Sequence, residues 1–573
     1  MTTPILHGPG VPGTRPALWL LGAAGLFVVA HAFVPLEEFI HRGDDAYYYL
    51  KTAYNYPATG FWSFDTIHST NGVQPLWAWL TTAVAQIMAW AGMRDADLFA
   101  RTMVGITGLF HVGASLLLLR LLARQVSLGA GIAVAAALLL PLGIVWRHVW
   151  GMENSLYAFC LVSALSYYLF SFRRAESDGR AAVLGLLFGL TALARLNAVL
   201  LAVAAVIAIA VDTGSPTRSR RVRYAAIVAA VSASCVIPYL AWNYLSTGHP
   251  LPVSGAVKAI LTERYLDEAG IDQRLSLDFV RLVLSRYQDA LRNFVTWRMA
   301  DATTILGGRF VLGEDFRRGF YLLLGLAAML PFLVGSPRAG LAALTGAFGR
   351  LRPLWFVVMF AAVNFAVCVY AYPQQLGYAM TQWWLIESEL GVVVLAGALV
   401  GTAVDYAGAR LVPGRVRVPL IAAGLALLIG LHGQRMVRFY WDGQFQVREW
   451  NPSWNDESLM AARWLAANAP GDAIVGSWNA GVLGYHAKQR VTNLDGLINN
   501  FDLLPYLRDR KLGEYILKEN IAYLSDMAPS YTLYGIHDQL TLEEVYRHPN
   551  AMMRTDYVIY RVVGPSVPAG RGR

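Results

Sequence analysis

Charge is scarce in this chain. Asp, Glu, Lys and Arg make up only 15% of its 573 residues, short of the roughly 25% typical of soluble proteins. That shortage argues against a soluble enzyme and a disordered chain. Cysteine is nearly absent. Cys160, Cys235 and Cys368 stand far apart in three apolar blocks, which excludes a disulfide scaffold and leaves no metal-ligand spacing. Lysine occurs only at positions 51, 258, 488, 511 and 518. No internal repeat is visible, and no low-complexity stretch beyond the Pro/Gly/Arg tail. Collagen-like architectures are therefore excluded as well.

Apolar sequence is what the chain has in abundance. Hydrophobic residues reach 56% and the mean hydropathy is +0.42. They come in long blocks, the signature of a polytopic helical membrane protein. The net charge of +9 sits in short arginine runs between those blocks. Membrane topology explains it better than nucleic acid, and no nucleic-acid partner is expected.

Arg15, Arg120/Arg124, Arg173/Arg174/Arg180, Arg218–Arg223, Arg338/Arg350/Arg352 and Arg410/Arg415/Arg417 read as cytoplasmic under the positive-inside rule. Threading between them predicts about eleven spans, near 17–36, 101–120, 127–146, 154–172, 181–194, 196–211, 224–244, 319–337, 353–371, 385–407 and 418–432. Ala30-His31-Ala32 resembles a signal-peptidase site, but the apolar run before it exceeds the ~7–15 residues of a signal core, so a retained helix is expected. The block 181–211 is read as two short helices meeting at Arg195 and Asn197. The block 73–91 is read as a helix in the outer interface, with Trp77, Trp79 and Trp90 at headgroup depth.

This threading defines a membrane module, 1–432, with outer loops 37–100, 147–153 and 244–318. The remainder, 433–573, reads as an extracytoplasmic α/β domain. It predicts helices near 455–468 and 503–519 and strands near 472–477, 489–494 and 556–563.

The strongest chemical signal follows the first span: Gly43-Asp44-Asp45-Ala46-Tyr47-Tyr48-Tyr49. Adjacent carboxylates at a membrane surface are costly unless solvated, paired or used. The tyrosines offer stacking faces and hydroxyls. A helix start explains the acids equally well, through capping and the macrodipole. His68-Ser69-Thr70-Asn71-Gly72-Val73-Gln74 is a polar turn that either binds or only turns. Arg147 and His148 precede Glu153, which sits at the mouth of a span in a very short outer loop. Glu387 stands near the outer end of another span. Lys258 lies outside, against the positive-inside trend. A phosphate partner would explain it, and so would a snorkelling surface lysine. Trp478-Asn479-Ala480-Gly481 and Asn493-Leu494-Asp495-Gly496 look like tight loops after strands, able to bind an acceptor or simply to turn.

In order along the chain, these motifs resemble the GT-C superfamily. Its members include protein mannosyltransferases, aminoarabinose transferases and mycobacterial arabinofuranosyltransferases. The resemblance implies a sugar donor carried on polyprenyl phosphate, an inverting transfer, and a glycan, lipid or protein acceptor outside the plasma (inner) membrane of a bacterium. It implies Asp44 as general base, with Asp45 and Glu153 as its acidic partners. Lys258 and Arg195 would hold the donor phosphate. Substrate contacts would come from Tyr47, Tyr48, His68, Asn71, Gln74, Arg147, His148, Glu387, Trp478, Asn479 and Asp495. Some relatives bind a divalent metal (Mg or Mn) through the first-loop acids and others do not, so a metal stays open. A transporter or flippase for a lipid-linked glycan is the competing reading. Transporters tend to show repeats and midplane charges, whereas here the acids gather at one surface.

The arginine pattern generates one prediction. A reporter fused after Arg573 is expected to be active only if it works outside the cytoplasm. Activity of a cytoplasm-only reporter at that point would overturn the topology.

Overall fold

The computed structural model describes residues 14–40, 43–140, 145, 148–212, 217–274, 276–288, 329, 337–373, 386–440, 454–550 and 553–566. Six of its helices are long and apolar enough to cross a bilayer: Arg15–Phe33, Ala96–Gln125, Asn154–Phe172, Arg218–Thr247, Arg352–Ala371 and Val393–Leu411. Shorter apolar helices cover Leu128–Leu139, Leu196–Val211 and Val416–Leu427. Asp178–Ala194 is also helical. Of the expected spans, 319–337 lies almost wholly outside the described residues; each of the others overlaps a helix, but among the described residues only six are long and apolar enough to cross.

Polar residues start these helices where the sequence offers them. The hydroxyls of Ser127, Ser177 and Thr217 accept from the N–H groups of Ala130, Arg180 and Arg220, and Asp95 caps Leu98 in the same way. Each satisfies a donor that the first helical turn leaves open. The arginine clusters come together at one end of the bundle. Arg350 donates to the carbonyls of Gln125 and Val126, and Arg124 and Arg174 both lie over Phe170. Arg173 pairs with Asp212, and Arg223 with Asp178. Arg195 breaks the chain at the other end. There the helix ends at Ala194, Arg195 is extended (φ −155°, ψ 113°), and a new helix runs on from Val199.

The helix Pro75–Trp90 has 16 residues, about 24 Å long and short of the ~30 Å hydrocarbon core. Trp79 and Trp90 are exposed, but Trp77 is fully buried and its indole N–H donates to the Gly151 carbonyl. Trp77 therefore braces the first outer loop against the second, a correction to its expected place in an aromatic belt.

The terminal domain is a five-stranded sheet. Its strands are β1 Ile474–Ser477, β2 Arg490–Asn493, β3 Ile521–Met527, β4 Leu540–Asn550 and β5 Thr555–Pro565, in the order β2-β1-β3-β5-β4. The pairs β1/β2 and β1/β3 are parallel, and β3/β5 and β4/β5 are antiparallel. The sequence reading misses two strands and one helix break. β4 is an edge strand with Glu543, Glu544, Arg547 and His548 in it, so its hydrophobic signal is weak. β3 carries Ser525-Asp526 just before its last residue, polar side chains that are completely buried. The expected helix 503–519 is instead Leu504–Arg508 and Leu512–Lys518, interrupted where Arg510 takes a left-handed φ of 57°. The helix Asn455–Asn468 forms as expected.

This domain is clasped to the first outer loop. His68 Nδ1 lies 2.6 Å from Asp65 Oδ2, and its Nε2 lies 3.3 Å from Glu519 Oε2. Thr492 also donates to Asp65 Oδ2, at 3.2 Å. The hydrogen bond to Asp65 raises the His68 pKa above its usual range, against burial. Burial is the largest influence on Asp65 and works upward, but the several bonds from His68 and Ile67 leave it below the usual carboxylate range. The stabilisation from His68 is complete below its unfolded pKa of ~6.5 and is lost as pH rises through the raised folded value. That from Asp65 is lost as pH falls through its lowered value. Exchange protection factors around 65–69 and 517–520 are expected to decline as pH rises above the His68 pKa, by an amount on the order of 1 kcal/mol. His68→Ala should flatten this profile, and an unchanged profile in the variant would refute the clasp.

Candidate active site

The helix Asp44–Thr59 begins with its two carboxylates in the first turn, where the macrodipole favours negative charge. The two then diverge. Asp44 Oδ2 accepts from Gly481 N at 2.9 Å and Oδ1 from Val482 N at 2.8 Å. These amides open the helix Gly481–His486 of the terminal domain. A Cβ at Gly481 would stand 2.2 Å from the Asp44 carbonyl oxygen, so only glycine allows this approach. Burial nonetheless outweighs the two N–H bonds and pushes the Asp44 pKa up to about 7.

Asp45 faces a cavity of about 430 Å³, whose charged lining residues are Asp45, Glu153, Arg195 and Lys258. The walls come from every outer segment and from the terminal domain, which adds Leu497 and Ile498. Gly72 makes that closure possible, because a Cβ there would lie 2.0 Å from the Leu497 carbonyl oxygen. Glu153 and Arg195 are buried, with Arg195 Nε 3.9 Å from Glu153 Oε1 and the guanidinium over the Tyr157 ring.

Electrostatics separates the roles of these groups. Burial raises the Asp45 pKa to about 6, with Lys258 opposing the rise and Glu153 adding to it. Burial lowers Lys258 to about 8, with Asp45 opposing. Asp495, next in the cluster, is raised by burial to about 8 while Oδ1 accepts from Leu497 N. At neutral pH the site therefore carries an ionised Asp45, a protonated Lys258 and a mostly neutral Asp495. Such a site can take a proton at the carboxylate and hold an anion at the two cations, Lys258 and Arg195.

Several residues expected to touch substrate are engaged in holding the walls. Asn71 Oδ1 accepts from Val253 N, fixing the start of the helix Val253–Glu268 that carries Lys258. Gln74 lines the cavity and its Oε1 accepts from Leu196 N, fixing the break beside Arg195. Tyr48 lines the cavity and donates to the Trp478 carbonyl. Trp478 stacks on Tyr534, and Asn479 bonds through both its N–H and its amide to Asp526. Tyr47 packs on Tyr485 and His486, and His148 packs on His111. Tyr47, Asn71, His148, Trp478, Asn479 and Asp495, with His68 in its clasp, are not among those lining the cavity. Arg147 and the side chain of Glu387 lie outside the described residues. Tyr49, Asn197 and Asn364 line the cavity unpredicted. Tyr49 Oη accepts from Gln74 N, and Asn197 bonds Asn364 at 3.1 Å. Polar asparagines inside apolar runs were the available signal.

The donor set does not fit a divalent cation. Both oxygens of Asp44 already accept N–H groups, and Asp45 faces an ammonium group. Among the described residues no group of three or more His, Cys, Asp or Glu is placed to hold a metal ion.

A family described as a domain of unknown function (DUF8728) matches residues 445–564, the terminal domain. No match was found among curated proteins. Among solved structures, the apo oligosaccharyltransferase of Archaeoglobus fulgidus superposes with a TM-score of 0.50 at 14% identity, over 96% of this chain and 76% of that one. ArnT from Cupriavidus metallidurans bound to undecaprenyl phosphate gives 0.41 at 15% identity, over 95% and 97%. The arabinofuranosyltransferase AftD from Mycobacteria gives 0.42 at 13% identity, over 95% and 40%. At such identity the likeness to the archaeal oligosaccharyltransferase shows a shared fold and nothing beyond it.

The engagement of Asp44 generates a prediction. In Asp44→Asn an amide N–H would meet a backbone N–H of Gly481 or Val482, leaving a donor unsatisfied at a cost of roughly 1–3 kcal/mol. The terminal domain is expected to undock more readily, seen as faster proteolysis between the two modules. A variant with unchanged proteolysis would show that this contact does not hold the domain.

Proposed function

We propose that the chain is a glycosyltransferase that moves a sugar from a polyprenyl-phosphate donor to an acceptor outside the bacterial plasma membrane, with inversion and with Asp45 as general base. The observation that carries this reading is the single cavity in which Asp45 and Glu153 face Lys258 and Arg195, at the end of the bundle away from the arginine clusters. The fold shared with the oligosaccharyltransferase of Archaeoglobus fulgidus supports it.

The chemistry follows from the charges. The ionised Asp45 takes the proton from the acceptor hydroxyl as the hydroxyl oxygen bonds to the anomeric carbon. The bond from that carbon to the phosphate oxygen breaks, and the electron pair leaves on the polyprenyl phosphate. Lys258 and Arg195 stabilise the departing charge, so no strong acid is required. Glu153 orients Arg195. Asp44 falls within the same motif, but its oxygens serve the terminal domain, so the base is assigned to its neighbour.

With reconstituted protein and a panel of polyprenyl-phosphate sugars, Asp45→Asn is expected to lose at least ~10²-fold in turnover while staying docked. Lys258→Ala should weaken undecaprenyl phosphate binding. The rate should fall below about pH 6 as Asp45 is protonated, and above about pH 8 as Lys258 loses its charge. Near-normal turnover in Asp45→Asn would end the assignment.

A further inference from the structure

A second groove lies on the other side of the loop that walls the cavity. Ser69, Thr70 and Asn71 line this groove, while Gly72 and Gln74 line the cavity. It measures about 760 Å³. It opens between the helix Pro75–Trp90 and the outer half of Arg218–Thr247, where Pro238 removes a backbone donor.

Its walls are tiled with aromatic rings. Trp62 meets Trp242 edge-on at 5.6 Å, Trp79 meets Tyr239 at 6.1 Å, and Tyr239 meets Trp242 at 6.3 Å. Interfacial tryptophans that serve only as anchors need no such contiguity or enclosed volume. One edge is polar. Asn71 is 3% exposed and lines the groove, and its Nδ2 has no hydrogen-bond partner. A buried donor of this kind is costly unless a ligand oxygen meets it. None of the described residues lining the groove is charged, whereas the cations suited to a phosphate line the other cavity.

We propose that this groove binds the acceptor, and that the acceptor is an amphipathic lipid with an uncharged, hydroxylated head group. Its tail lies on Trp79, Tyr239 and Trp242. Its head reaches Thr70 and Asn71, one residue from Gly72 at the edge of the reaction cavity. The proposal rests on the transfer reading and deepens it, since donor and acceptor then enter from separate sides of one loop.

The test is photolabelling in nanodiscs with a monohexosyl diacylglycerol that carries a diazirine in its acyl chain. Label is expected on peptides 75–90 and 218–247. Trp79→Ala and Trp242→Ala should each reduce it by roughly tenfold and leave undecaprenyl phosphate binding unchanged. Lys258→Ala should do the reverse. Equal labelling by a phosphatidylcholine diazirine probe would reduce the groove to an aromatic belt. Displacement of the hexosyl probe by undecaprenyl phosphate would make it the donor's groove. Unchanged labelling in both tryptophan variants would also overturn the proposal. Groove labelling that persists while Lys258→Ala leaves undecaprenyl phosphate binding intact would instead strike the transfer reading, and with it the acceptor role.

Discussion

The carboxylate of Asp44 joins the two halves of this protein. Its oxygens receive the first two amides of the helix Gly481–His486, a charge-assisted contact at a helix N-terminus. Tyr48 reaches the Trp478 carbonyl one helical turn on from it, and the Trp478 loop is itself pinned by Asp526. The sheet is thereby fixed over the first outer loop, and Leu497 and Ile498 become cavity walls. Asp45 acquires its environment as a consequence. It sits on the next residue of the same helix, so whatever holds Asp44 still also holds the direction of Asp45.

Much of this architecture was legible in the sequence. The arginine runs located the bundle's closed end, because charge at that depth has few alternatives. The break at Arg195 was legible for the same reason: an arginine and an asparagine interrupt an otherwise continuous apolar stretch. The division of roles proposed for Asp44 and Asp45 was not. Asp44 and Asp45 are chemically equivalent in the sequence, and only the arrival of a helix more than 400 residues later in the chain distinguishes them. Asn71 and Gln74 stood out in the sequence as polar groups of a turn, but their tertiary partners did not. Their amide oxygens each accept a backbone N–H from a distant loop, a tertiary contact that no local pattern encodes. The edge strand β4 was missed because its charges, which protect it from pairing with other chains, also erase its hydrophobic signal.

The charges in the cavity are balanced in a way that suits its proposed chemistry. Two carboxylates and two cations share one partly enclosed space, and burial acts on Asp45 and Lys258 in opposite directions. It raises the acid and lowers the base, drawing their pKa values to about 6 and about 8. A carboxylate in this range is a better proton acceptor than one at the usual value, yet is still ionised at neutral pH. An anionic phosphate entering beside Lys258 would favour the ammonium form, so the donor itself would strengthen the charge that holds it. It would also disfavour ionisation of Asp45 and raise its basicity further. In the proposed reaction, binding of the donor and readiness of the base would be coupled through the same field. That coupling would depend on keeping bulk water out, a role that falls to the terminal domain and to the contacts that dock it, those of Asp44 and Asp65 among them.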